Sequence, residues 1–162
     1  MWLFLLFTIF IVIVIYLLAI MPKLTNRPDI TPWKDLYYAH RGLHQSHLVS
    51  PENSMTAFCL AVEHQYGIEL DVQLTKDKIP VVFHDFTLKR VCGVDRKVCD
   101  LTLSELQTYP LYNSEEIIPT FQSVLDMVDG QVPIIIEFKA STHNVAVCEI
   151  CSSILDQYKG LY

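Results

Sequence analysis

Twenty consecutive residues, Trp2 to Met21, carry no charge, and within residues 1–21 only Thr8 falls outside the apolar class. As a helix this run would be about 30 Å long, the thickness of a bilayer's hydrocarbon core. Its many Val and Ile residues are weak helix formers in water, but in lipid every backbone group must be satisfied internally, and a helix does that. A cleavable signal peptide would need a basic start, a shorter apolar stretch and small residues at the cut site, and the run has none of these. A buried core helix of this length would show a polar stripe. The run therefore predicts an uncleaved transmembrane anchor over residues 1–22. A Pro-containing linker follows over residues 23–36, and one folded domain over residues 37–162.

Orientation follows from the flanks. Nothing basic precedes the run, whereas Lys23, Arg27 and Lys34 follow it, so the positive-inside rule keeps the C-terminal side in the cytoplasm. The expected location is a membrane, crossed once, with the folded part on the cytoplasmic side. Five cysteines, odd in number and without a compact disulfide framework, fit a reducing compartment. Acidic residues outnumber basic ones 18 to 12, which argues against a nucleic-acid partner. No second long apolar run exists, so a multi-pass protein is excluded. Outside the anchor, the apolar share is that of an ordinary globular protein, which excludes wholesale disorder.

Beyond the linker, strand and helix patterns alternate. Leu36 to His40 is a strand candidate stopped by Gly42. Asn53 is a candidate N-cap for a helix with Met55, Phe58, Cys59 and Val62 on its apolar face, ended by Gly67. Ile68 to Leu74 alternates apolar and polar residues, a period-2 strand. Thr75 to Lys78 is a turn, and Pro80 to His84 a second β-rich run. Thr102 and Glu105 have capping-box spacing. Phe121, Val124, Leu125 and Val128 recur at helical spacing before Asp129-Gly130. Val132 to Phe138 is a strongly apolar strand, and Val145 to Tyr158 a further helix. Strands alternating with helices imply an α/β fold with a mainly parallel sheet.

Several residues on these elements can do chemistry. Glu69 and Asp71 lie two apart on a strand and so share a face, and paired oxygen ligands suit Ca2+ or Mg2+. If Asp77-Lys78 centred a two-residue hairpin turn, Asp71 and His84 would sit opposite each other. Glu137 and Lys139 end the apolar strand Ile134-Ile135-Ile136, where sites lie in β/α barrels. His40-Arg41 also follows a strand directly, and Arg is the residue type that grips phosphate with a bidentate fork. Each has a simpler explanation in a solvated strand face, a core histidine or a strand-end ion pair. A zinc cluster of His40, His44 and His47 is disfavoured because Gly42 and Pro51 make that segment a loop without a nearby cysteine. Cys148 and Cys151 have redox-motif spacing but fall inside a predicted helix.

Taken together the segments resemble the glycerophosphodiester phosphodiesterase family. The matching pieces are Ala39-His40-Arg41-Gly42, Pro51-Glu52-Asn53-Ser54 with Ala57-Phe58, and Glu69 through Asp77. They continue through Pro80 to Asp85, Leu101-Thr102, Pro119-Thr120-Phe121 and Ile136-Glu137-Phe138-Lys139. The set is in family order over residues 37–139, and its specificity comes from the ordered set rather than from any one piece.

The resemblance implies a (β/α)8 TIM-barrel phosphodiesterase that releases an alcohol and sn-glycerol 3-phosphate from glycerophosphodiesters. It implies one divalent cation, Ca2+ or Mg2+, held by Glu69, Asp71 and Glu137. His40 and His84 would be the general acid/base pair, Arg41 would hold the phosphate, and Glu52 and Lys139 would line the substrate site. The implied partners are a glycerophosphodiester or a lysophospholipid, and a lipid bilayer through the N-terminal helix. Alternatives are a lysophospholipase D-type activity and a catalytically inactive truncated membrane protein. Two departures stand out: Lys78 replaces a turn glycine, and the matching part supplies about four barrel strands where eight are needed. The expected fold is thus the N-terminal portion of a barrel, as a fragment or a truncated reading frame.

Overall fold

The computed structural model describes residues 2–22, 25, 27, 29–140 and 145–162. It divides into two compact units, residues 1–34 and 35–162. The first holds helix α1, Trp2–Ile20, none of whose side chains is buried. Its mean hydropathy of 3.2 and its length are sufficient to cross a membrane, and a signal sequence near an N-terminus meets the same description. Lys23, part of the expected basic flank, lies outside the described residues, as do linker positions 24, 26 and 28.

The second unit is a four-stranded sheet covered by helices. Strand β1, Tyr38–His40, and strand β4, Ile134–Phe138, each pair in parallel with the long strand β2, Gly67–Leu74. Strand β3, Pro80–Val82, runs antiparallel to the end of β2. Helix α2, Met55–Glu63, connects β1 to β2. Helices α3, Lys89–Cys92, α4, Leu103–Leu106, and α5, Phe121–Val128, lie between β3 and β4, and α6, Ala146–Leu155, follows β4. Three described strands are thus parallel, and the fourth belongs to a hairpin.

Burial explains the arrangement. Ile68, Leu70 and Val72 of β2 pack with Phe58 of α2, Phe121 and Val124 of α5, and Val147 and Cys151 of α6 in one core. A second core forms under the segment between β3 and α5, from Phe83, Leu88, Val91, Val98, Leu101, Leu106, Leu111 and Ile118. Few of its elements show periodicity, because a short irregular segment can be held by scattered apolar anchors. The expected capping box of Thr102 and Glu105 is formed at α4, and Asp129 and Gly130 end α5 with positive φ.

Three local expectations are corrected. The N-cap of α2 is Ser54, whose hydroxyl accepts from the Ala57 amide, not Asn53. Gly67 does not end α2, which caps at His64, but begins β2. The hairpin register is one residue out from the expected one, because Val72 faces Val82 and the Thr75 amide donates to the Ile79 carbonyl. The loop therefore has three residues, Lys76 to Lys78, ending in the left-handed conformation at Lys78 (φ 64°). Asp71 consequently lies opposite Phe83, whose amide donates to its carbonyl, rather than opposite His84.

Candidate active site

The C-terminal ends of β1 and β4 flank the middle of β2, and the residues expected to carry chemistry sit there. Register does most of the placing. His40 pairs with Glu69 across β1 and β2, and Asp71 pairs with Glu137 across β2 and β4. Glu69 and Asp71 share a face by the period of the strand. Carboxylate oxygens of Glu69, Asp71 and Glu137 lie within 4.8 Å of one another.

The turn after β1 brings in Arg41. Arg41 and Gly42 both have positive φ, 59° and 82°. A Cβ on Gly42 would come within 2.9 Å of Ala57, so only glycine fits there. The Arg41 amide donates to the Glu69 carbonyl and to its carboxylate, at 2.9 and 3.1 Å. Its Nη1 donates to Glu52 Oε1 at 3.0 Å. Its Nε is buried with no acceptor in hydrogen-bonding range, the Asp71 Oδ2 atom being 3.6 Å away.

Asp71 is the buried centre, with a side chain 2 % exposed. Lys139 Nζ lies 3.0 Å from its Oδ1, and Asn53 Nδ2 donates to its Oδ2 at 3.1 Å. Lys139 also donates to Glu137 Oε1 at 2.5 Å. Burial works against the charge on Lys139, but the Glu137 and Asp71 carboxylates outweigh it and hold its pKa above the usual lysine range. The carboxylate trio fits a divalent cation on its donor set: three hard oxygens close together, two of them already bridged by one ammonium.

His84 follows β3, and its Nδ1 is 2.6 Å from Asp85 Oδ1. His40 is more open, its side chain 69 % exposed, with Nε2 3.8 Å from Glu69. The site thus unites His40, Arg41, Glu52, Glu69, Asp71, Glu137 and Lys139 through direct contacts. His84 joins them through Asp85 and Arg90.

Sequence reasoning missed Arg90, Asp85, Asn53 and Tyr112. Arg90 donates to Asp85 and to Glu52. The Arg90 hydrogen bonds lower the Asp85 pKa to about 2, with His84 contributing. Burial alone would raise the Glu52 carboxyl, but Arg90 and then Arg41 hold it below the ordinary range. Asp85 and Asn53 fell within matching segments but showed no periodicity to set them apart. His47, one of the three histidines weighed for zinc, stacks on Tyr112 with ring centroids 3.9 Å apart.

A profile of the Glycerophosphoryl diester phosphodiesterase family matches residues 40–158, which include every residue of this site. The chain belongs to that family. It is 38 % identical over 115 residues to a glycerophosphodiester phosphodiesterase of Caldanaerobacter subterraneus subsp. tengcongensis, covering 66 % of this chain and 46 % of that protein. The solved glycerophosphodiester phosphodiesterase of Thermotoga maritima superposes with a TM-score of 0.65 at 34 % identity, over 78 % of this chain and 52 % of that one. An Oleispira antarctica phosphodiesterase, solved with the product sn-glycerol-3-phosphate, gives a TM-score of 0.68 at 26 % identity, over 78 % and 54 %. Members of the family so named are phosphoric diester hydrolases with a TIM-barrel fold, and this chain spans about half their length and about half the barrel.

Proposed function

We propose that the folded unit carries the site of a glycerophosphodiester phosphodiesterase, which hydrolyses a glycerophosphodiester to an alcohol and sn-glycerol 3-phosphate. The observation that carries this reading is the Arg41 Nε donor. It is buried without an acceptor, beside a cluster of three carboxylates that suits a divalent cation. The Arg41 guanidinium charge, held between Glu52 and Asp71, lies beside the place where a phosphodiester would meet that cation.

Glu69, Asp71 and Glu137 would hold Ca2+ or Mg2+, and the bound ion would counter charge developing on phosphorus. Arg41 and Lys139 add fixed positive charge on the same group, and Glu52 keeps the Arg41 fork in place. His40 and His84 transfer protons, one from the nucleophile and one to the leaving alkoxide. The exposure of His40 suits contact with water or substrate, while the carboxylate behind His84 Nδ1 leaves Nε2 as its working nitrogen.

The apolar α1 supports a membrane-tethered site, with Arg27 and Lys34 favouring the cytoplasmic side. A tethered site suits a substrate that keeps one acyl chain, so a lysophospholipid is the second substrate class.

The test is release of glycerol 3-phosphate from glycerophosphocholine by the full chain in detergent, with and without Ca2+ or Mg2+. Hydrolysis should need the ion, and His40→Ala or His84→Ala should each slow it by about two to four orders of magnitude. Full activity in excess chelator, or in Glu69→Gln, refutes the ligand assignment. Choline release from lysophosphatidylcholine under the same conditions tests the second substrate class.

A further inference from the structure

The Arg90 guanidinium hydrogen-bonds to Asp85, Glu52 and Tyr112, and so ties two parts of the site together. Its Nε and Nη2 donate to the two Asp85 oxygens at 2.7 and 3.0 Å. Nη2 and Nη1 donate to the two Glu52 oxygens at 2.5 and 3.1 Å. Nη1 also donates to the Tyr112 hydroxyl at 2.6 Å. Beyond Asp85 stands His84, and beyond Glu52 stands Arg41, at 2.6 and 3.0 Å. We propose that Arg90 is a positioning residue for phosphodiester hydrolysis, fixing the tautomer of His84 through Asp85 and the orientation of Arg41 through Glu52. The proposal rests on the functional reading above.

The chemistry of each link is specific. A carboxylate can only accept, so the proton on the His84 ring must sit on Nδ1, and the lone pair is left on Nε2. Asp85 is held ionised by Arg90. Its charge can therefore orient the ring and stabilise the imidazolium once formed, as the aspartate of a hydrolase triad does. On the other side, Glu52 holds Arg41 Nη1, which leaves Arg41 Nε facing the site. A lysine could not replace Arg90 here, because one ammonium lacks the planar fork that meets two carboxylates edge-on.

The surroundings hold Arg90 in place. Leu88 and Val91, on either side of it, are buried in the second core. Helix α3 ends at Gly93 in the left-handed conformation, with open space around it. Tyr112 carries its hydroxyl to Arg90 on a backbone with φ of 49°, a conformation costly for a tyrosine. The second core thus has a role in the site despite its irregular elements.

The experiment pairs kinetics with histidine NMR on the full chain in detergent. Labelled with 15N-histidine, the unaltered chain should show His84 protonated at Nδ1. Arg90→Ala should give an averaged tautomer mixture, lower kcat for glycerophosphocholine by about 10- to 100-fold, and raise KM. Asp85→Asn should act mainly on kcat and Glu52→Gln mainly on KM. Adding Arg90→Ala to Asp85→Asn should cost little further kcat. Arg90→Lys keeps the charge and the apolar stem, and should fold while showing the same two kinetic defects. An unchanged His84 tautomer with unchanged kcat and KM per folded molecule, in either Arg90 variant, overturns the proposal, even where stability has fallen. If the unaltered chain hydrolyses nothing, the functional reading fails, while the tautomer comparison still decides whether Arg90 positions His84.

Discussion

Lys139 meets Asp71 across two parallel strands, Nζ to Oδ1 at 3.0 Å, and both side chains are removed from water. The other acid that Lys139 binds, Glu137, is 55 % exposed. The two acids should therefore differ in what they do for stability. Asp71→Asn leaves Lys139 facing a neutral group and removes one of the two carboxylates paired with Arg41, a loss that costs about 3–5 kcal/mol for a buried pair. Glu137→Gln should cost under about 1 kcal/mol, as for an exposed ion pair. Urea unfolding of the two variants compares them directly, and equal losses would show that Asp71 is not the buried centre. Both should weaken divalent-cation binding measured by calorimetry.

Asn53 and Ser54 make a second contrast. Ser54 caps α2, so Ser54→Ala should cost about 1 kcal/mol and leave the site intact. Asn53 is 1 % exposed, has φ of 55°, and donates to Asp71. Asn53→Asp keeps the shape but sets a second carboxylate against Asp71 in a buried place. It should destabilise the fold more than Ser54→Ala does. The extra loss should shrink when divalent cation is added, since a cation screens two facing carboxylates. A thermal melt with and without Mg2+ reads both effects.

That contrast also shows how far the sequence could be read. Strand β2 and helices α2 and α5 were legible from the spacing of their apolar residues, and β4 from an unbroken apolar run. Glu69, Asp71, Glu137 and Lys139 were legible because charge on an apolar strand has few explanations. What periodicity cannot carry is the conformation of single residues. Asn53 and Ser54 are both good caps by composition, and only the backbone decides between them. The positive φ at Lys78 adds one residue to the hairpin loop and shifts the register past His84. Arg90 lies on a four-residue helix with no pattern of its own, and it is placed by long-range packing in the second core.

Asp85 makes acid stability testable. Held by the Arg90 hydrogen bonds, its pKa falls from 3.8 to about 2 on folding. A depressed carboxylate stabilises the folded state above its unfolded pKa, and that contribution is lost as pH falls toward the folded value. Between about pH 4 and pH 2, stability should drop with a slope to which Asp85 contributes. Asp85→Asn should flatten this slope while lowering stability at neutral pH. Denaturant midpoints at several pH values measure it, and an unchanged slope would mean that the Arg90 contact is absent in solution.

The cysteines test the packing of α6. Cys151 points into the main core beside Val147 and Leu155, whereas Cys148, one turn earlier, is exposed. Burial, with a smaller effect of Cys148, pushes the Cys151 thiol up to about 12. At pH 8 only about one part in 10⁴ of such a thiol is the reactive thiolate, several hundred-fold or more below an ordinary cysteine. Cys92 is also pushed up by burial, to about 11. Iodoacetamide at pH 8 should therefore modify Cys99 and Cys148 quickly, and Cys92 and Cys151 only after denaturation. The redox-like spacing of Cys148 and Cys151 then reflects one exposed and one core position on a helix, and mild oxidation should leave both thiols free. Rapid labelling of Cys151 in the folded chain, read by peptide mass spectrometry, would mean that α6 is not seated against β2.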